Sequence, residues 1–160
     1  GMLSFAAIVF TFAYAPATFK ADLSNFRMSC LGSLFICMGA LFFAFVGLTP
    51  ADILKEMHIM AAMNGPRFLA VGGLFYLIIF FRVDISKHYS VLLSLLFLSV
   101  ITYAVYQFST RNDTLSSIDD LIEQVVIQKI IVAIMLAGMV VMSFAFSQQI
   151  KRVGNATGAN

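Results

Sequence analysis

M-S-C-L-G-S-L-F-I-C-M-G-A-L-F-F-A-F-V-G-L, residues 28–48, runs without a single charged side chain. Crossing a hydrocarbon core about 30 Å thick takes about 20 helical residues, so this stretch reads as a transmembrane helix and makes lipid the solvent of the chain. Gly32 and Gly39 fall at helical spacing within it, and small residues on one face let neighbouring helices approach closely. Cys30 and Cys37 lie in the same segment, separated by about 10 Å of helical rise. A disulfide spans at most about 7 Å between Cα atoms, so both thiols are expected to be free.

Composition points the same way. Of 160 residues, 61% are hydrophobic and 11% charged, with a mean hydropathy of +0.94, whereas a soluble domain carries about 25% charged residues. The length suits a single bundle. A net charge of +2, with no basic run longer than Lys151-Arg152, argues against a nucleic-acid partner. Two cysteines and two histidines, His58 and His88, are too few ligands for a closed zinc site or a multi-haem centre, so no metal and no cofactor is expected. Gly1 before Met2 reads as a cloning remnant or a fragment edge.

Outward from residues 28–48, the hydropathy predicts four further spans. Residues 2–19 form the shortest, with Pro16 near its end; the A-Y-A at 13–15 mimics the end of a signal peptide, but the basic n-region is missing. Lys20, Asp22, Ser24, Asn25 and Arg27 make a polar connection. On the other side, an element from Thr49 to Phe81 is about 48 Å long from Pro50 if straight, so its beginning must protrude, tilt or lie on the surface. Residues 90–108 are the fourth span, with Tyr103 and Tyr106 as interfacial anchors. Leu115, Ile118, Leu121, Ile122, Val125 and Val126 recur at three-and-four spacing, predicting an amphipathic helix capped by Ser116 or Ser117 that leads into the fifth span, residues 129–148. The expected fold is an all-α, polytopic transmembrane helix bundle over residues 2–150, with 151–160 as a disordered cytoplasmic tail.

Lys20, Arg27, Arg82, Lys87, Lys151 and Arg152 fall on one side of this arrangement; Lys55, Arg111 and Lys129 fall on the other. Positive charge is retained in the cytoplasm, which puts the C-terminus inside and the protein in the cell membrane, plasma or inner. Five spans then place Met2 outside, and a further helix upstream, making six, is the simplest remedy. Asp52, Glu56, Asp113, Asp119, Asp120 and Glu123 gather on the outer side.

The polar interruption is residues 47–68, G-L-T-P-A-D-I-L-K-E-M-H-I-M-A-A-M-N-G-P-R-F. Thr49 as N-cap, Pro50 at the first helical position and Asp52 as capping-box carboxylate predict a helix start. At about 100° per residue, His58 shares a face with Ala61, Ala62, Gly65, Leu69 and Gly72, and so points into the bundle. Asn64, Gly65 and Pro66 then predict a helix break. Arg67 lies about 180° from His58 on an unbroken helix; the two meet only if the break turns the second half. A charge at membrane depth costs about 2.5–3.5 kcal/mol on insertion scales, so Arg67 needs a partner or an exit.

The run Val46-Gly-Leu-Thr-Pro-Ala-Asp52, followed by His58, Ala61, Ala62 and Phe68, resembles a pattern in a prokaryotic membrane family with a domain of unknown function, related to the eukaryotic FRAG/DRAM-like proteins. Pro50, Asp52 and His58 match it position by position. The resemblance implies six spans and a lipid-related role, since the eukaryotic relatives are associated with lipid remodelling, lipid distribution and autophagy.

Three functions compete. A non-enzymatic membrane protein would act on lipid organisation, or as partner of another membrane component or of a second copy, with the His58 region packing or gating. An interfacial enzyme would use His58 as general base, Asp52 or Glu56 to orient it, and Arg67 with Asn64 to bind a lipid head group, although no G-x-S-x-G or H-E-x-x-H motif is present. A small transporter would bind substrate at the Asn64-Gly65-Pro66 break, although no inverted repeat is evident.

Overall fold

The computed structural model describes residues 2–50, 53–83, 85–110 and 118–157. Its helices are α1 (Met2–Tyr14), α2 (Leu23–Leu48), α3 (Lys55–Arg82), α4 (Lys87–Thr110) and α5 (Ile118–Thr157), with a 3-10 turn at Ala15–Phe19. No strand occurs among the described residues. Three segments are long and apolar enough to cross a membrane: α2, α3 and Val125–Asn155 within α5. The apolar stretches Ala7–Phe19 and Lys87–Tyr103 are shorter, so three membrane-length helices stand among the described residues where five spans were expected.

Asp22 starts α2. Its Oδ1 accepts the backbone N–H groups of Ser24 at 2.8 Å and Asn25 at 3.2 Å, and the Asn25 side-chain amide donates to Oδ2 at 3.1 Å, so orphan donors of the first turn are met. At the other end Thr49 closes α2 rather than opening α3. Its N–H and its hydroxyl both donate to the Phe45 carbonyl, at 2.9 and 2.7 Å. A threonine hydroxyl can serve either helix, and here the free carbonyls of α2 are within reach first. The Pro50 carbonyl accepts from the N–H groups of Ile53 and Leu54, a turn that delays α3 to Lys55; Asp52, the expected capping carboxylate, lies outside the described residues.

Two further expectations differ. α3 passes through Pro66 without interruption: Gly65 and Pro66 are both buried, and the packing of neighbouring helices holds together a backbone that proline deprives of one hydrogen bond. α5 continues as helix through residues 151–157, past Gly154 and Asn155, in the stretch read from the sequence as a disordered tail. Its 40 residues extend about 60 Å at 1.5 Å each, about twice the thickness of a bilayer core. Residues 118–124, within the segment expected to be amphipathic, are helical and run on into the apolar part of α5; Ser116 and Ser117 lie outside the described residues.

α2 and α3 make the most extensive helix pair, and consecutive helices are neighbours throughout. Both members of that pair carry one pattern, G-x2-F-x3-G-x2-F: Gly32, Phe35, Gly39 and Phe42 on α2, Gly65, Phe68, Gly72 and Phe75 on α3. The glycines mark the close approach. A Cβ on Gly72 would sit 2.5 Å from Ile36 Cγ1 and 2.7 Å from the Gly32 carbonyl oxygen; one on Gly39 would sit 2.7 Å from Leu69 Cγ and 3.0 Å from the Gly65 carbonyl oxygen. The phenylalanines stack alternately beside them in the order Phe75, Phe35, Phe68, Phe42, with interplanar angles of 18°, 27° and 19°. Each of these four glycines is met by the side chain four residues beyond a glycine of the other helix: Gly32 by Tyr76, Gly39 by Leu69, Gly65 by Phe43 and Gly72 by Ile36. The antiparallel pair is therefore locally two-fold symmetric in its packing.

The rest of the bundle closes on an aromatic cluster. The Phe146 ring of α5 meets Phe12 of α1, Phe19 of the 3-10 turn, and Tyr76 and Phe80 of α3 edge-on, at centroid distances of 5.7, 6.2, 5.1 and 5.8 Å. Each such contact adds about 0.5–1.5 kcal/mol beyond burial, so these rings tie α1, α3 and α5 together. Leu31, Leu34, Met38 and Leu41 of α2 are exposed, as befits a surface whose surroundings are hydrocarbon.

Candidate functional site

His58 lies in the first turn of α3 and is half-buried. Its Nδ1 is 2.7 Å from the carbonyl oxygen of Thr49. A carbonyl can only accept, so Nδ1 carries the proton and donates, and Nε2 is left as the acceptor of the neutral ring. The contact is a helix-joining one: Thr49 is the C-cap of α2, and its carbonyl is among those a helix end leaves unpaired. One side chain from α3 thus satisfies the end of α2 across the connecting turn.

Among the described residues singled out in the sequence, Asn64, Glu56 and Arg67 lie away from His58. Asn64 donates from its side-chain amide to the Met60 carbonyl of its own helix at 2.9 Å. Glu56, two residues before His58, is exposed and points about 200° away around the helix. Arg67 is half-buried, and because α3 is continuous it keeps the opposite face, about 180° around and about 13 Å along the axis from His58. Thr49, Pro50, Gly65 and Pro66 hold structural places in the α2–α3 pair, as described above. Asp52 and Asp113 lie outside the described residues, and Asp119, Asp120 and Glu123 belong to the helical backbone of α5. The strip Ala61, Gly65, Leu69 and Gly72 is buried on the face the spacing predicts.

Two features escaped the reading of the sequence. The first is a buried hydroxyl relay: Tyr76, fully buried, donates to the Ser29 carbonyl at 3.2 Å. Its single proton being committed there, Ser33 Oγ, 2.6 Å away, donates to the tyrosine oxygen. Ser29 and Ser33 at one-turn spacing, on the face of Gly32 and Ile36, were the available signal. The second is an apolar cavity of about 40 Å³ between α3, α4 and α5, lined by residues including Gly73, Phe97, Met135 and Gly138. Its lining has no side chain able to hold water or an ion, so its chemistry is that of the bilayer interior.

Both cysteines are free, Cys30 exposed and Cys37 half-buried. Among the described residues no three His, Cys, Asp or Glu side chains come together. No family model, no curated protein and no solved structure matches this chain.

Proposed function

We propose that this chain is a non-enzymatic integral membrane protein that acts through its contacts with lipid and with a membrane partner, another protein or a second copy. In this reading α1 and α4 complete a five-span bundle with α2, α3 and α5, and the C-terminus faces the cytoplasm. The observation that carries it is the His58 Nδ1–H to Thr49 carbonyl bond of 2.7 Å: the histidine at the centre of the polar stretch is engaged in joining two helices. Asn64 is engaged in its own helix, which supports the same conclusion. The resemblance of residues 46–68 to the FRAG/DRAM-related membrane family favours lipid as the relevant surroundings.

The test separates packing from catalysis at His58. Asparagine places Nδ2 where histidine places Nδ1, so His58→Asn keeps the bond to Thr49; His58→Gln mimics Nε2 and loses it. His58→Asn is expected to melt near the parent in detergent, with His58→Gln and His58→Ala destabilised by about 1 kcal/mol. Purified protein is expected to leave labelled phospholipids of each head-group class intact. Turnover that disappears in folded His58→Asn would establish the interfacial enzyme instead.

A further inference from the structure

The fold brings seven cationic or titratable basic residues from five separate segments to one end of the bundle. Arg82, the last residue of α3, donates to Ser24 Oγ at 3.4 Å and to Met28 Sδ at 3.2 Å, which sets the end of α3 against the start of α2. The backbone N–H of Ser86 donates to Gln148 Oε1 at 3.2 Å, which sets the start of α4 against the end of α5. Phe19 against Phe146 brings the 3-10 turn to the same place. Lys20, Arg27, Arg82, Lys87, His88, Lys151 and Arg152 therefore share this end, and all seven are exposed.

Local helix physics accounts for only some of them. Arg82 ends α3, where the macrodipole favours a cation, whereas Lys151 and Arg152 lie short of the last turn of α5. Lys87 and His88 open α4, where the dipole opposes them, and Arg27 lies in the second turn of α2, past the reach of that helix end. The carboxylates that the sequence places at this end, Asp22 and Asp84, are fewer than its six formal cations. Asp22 is occupied capping α2, Asp84 lies outside the described residues, and the described hydrogen bonds of Arg82 go to a neutral oxygen and a neutral sulfur. The depth is that of a head-group layer, because these residues stand where α2 and α4 begin and α3 ends.

Resting on the membrane reading above, we propose that this end of the bundle is a docking surface for anionic phospholipid head groups, with Arg27, Arg82, Lys87 and Lys151 as the phosphate-facing cations. Each basic residue held near an anionic leaflet adds attraction that fades within a Debye length, so the preference is for charge and not for one head-group shape. A bilayer with anionic lipid on that side would hold the bundle end at a fixed depth.

The experiment is native mass spectrometry of the full chain in a non-ionic detergent, with equimolar phosphatidylglycerol and phosphatidylcholine. Phosphatidylglycerol adducts are expected to exceed phosphatidylcholine adducts several-fold and to approach parity as salt rises. The fourfold Lys20→Gln, Arg27→Gln, Lys87→Gln, Lys151→Gln variant is expected to lose the preference, while Lys55→Gln with Lys129→Gln, at the other end, keeps it. Detergent has no inside or outside, so a role confined to setting topology would leave the two lipids equal in the parent protein, and that result overturns the proposal. Preference unchanged in the fourfold variant, or lost equally in the opposite-end variant, overturns it too. If the fourfold variant does not fold, salt-insensitive preference in the parent does the same. Displacement of the lipid by inorganic phosphate at constant ionic strength would mark a free-anion site in its place. Parity of the two lipids in a chain that still requires detergent removes this surface alone and leaves the membrane reading standing.

Discussion

Glycine carries much of the specificity in the α2–α3 pair, and the four glycines that face the partner helix differ sharply from those that do not. A methyl at Gly72 would meet backbone atoms, the Gly32 carbonyl oxygen at 2.7 Å and the Ile36 nitrogen at 3.0 Å, and backbone in a packed helix pair cannot step aside as a side-chain tip can. Gly72→Ala is therefore expected to cost about 1–3 kcal/mol, the range for overpacking. Gly47, near the end of the same α2, has nothing within 4 Å, so Gly47→Ala is expected to be neutral or stabilising by up to about 1 kcal/mol through helix propensity. Thermal unfolding of the two variants in one detergent checks the contrast; equal effects would mean that the helices do not approach this closely. The same residues show how far local spacing goes. Ala61, Gly65, Leu69 and Gly72 were identifiable as one face because helical periodicity is a property of the chain itself, but their partner on α2 was not.

Among the elements, α3 is where local and tertiary preferences conflict. Asn64-Gly65-Pro66 is a helix-breaking sequence by propensity, yet α3 runs straight through it, with Gly65 against the Phe43 ring at the distance a Cβ would find tight. The pair with α2 outweighs the lost hydrogen bond. Pro66→Ala restores an N–H that can bond the Ala62 carbonyl, so the variant is expected to hold its melting temperature or gain, by no more than the about 3 kcal/mol that separates the two residues in a helix interior. Circular dichroism with thermal unfolding measures this. A clear loss of stability would show that the proline shapes the helix in a way the neighbouring contacts require, and would restore interest in a transporter-like break at this point.

For the whole molecule, the proposed five-span arrangement makes a sided prediction. In a background with Cys30 and Cys37 replaced, single cysteines at Lys55 and Lys129 are expected to react with an impermeant maleimide from outside the cell. Cysteines at Lys20, Lys87 and Lys151 are expected to react only after permeabilisation. Labelling of the Lys87 position from the same side as Lys55 would mean that α3 does not cross, despite its 28 residues. Labelling of the Lys87 and Lys151 positions from opposite sides would break the gathering of cations at one end, which rests on the contact of Ser86 with Gln148. The aromatic cluster around Phe146 ties α1 and α3 to the same α5, and α4 packs against α3 and α5, so the shorter apolar helices are members of the bundle and not appendages.

The helical class, the lipid-facing composition, the free cysteines and the buried face of α3 were all determined by the amino-acid sequence, because each depends on spacing and hydropathy within one segment. Three matters were decided only by tertiary structure: which helix Thr49 caps, whether Pro66 ends α3, and what His58 bonds. At Thr49 and His58, alternative hydrogen bonds of similar free energy, about 1 kcal/mol apiece, are open to the isolated segments, and the bond that joins the two residues goes with one choice at each; at Pro66 the packing against α2 decides. The shared G-x2-F-x3-G-x2-F pattern stands in plain letters in both α2 and α3. It acquires meaning only once the helices lie antiparallel, because complementarity is a relation between two surfaces and no single stretch of sequence contains it.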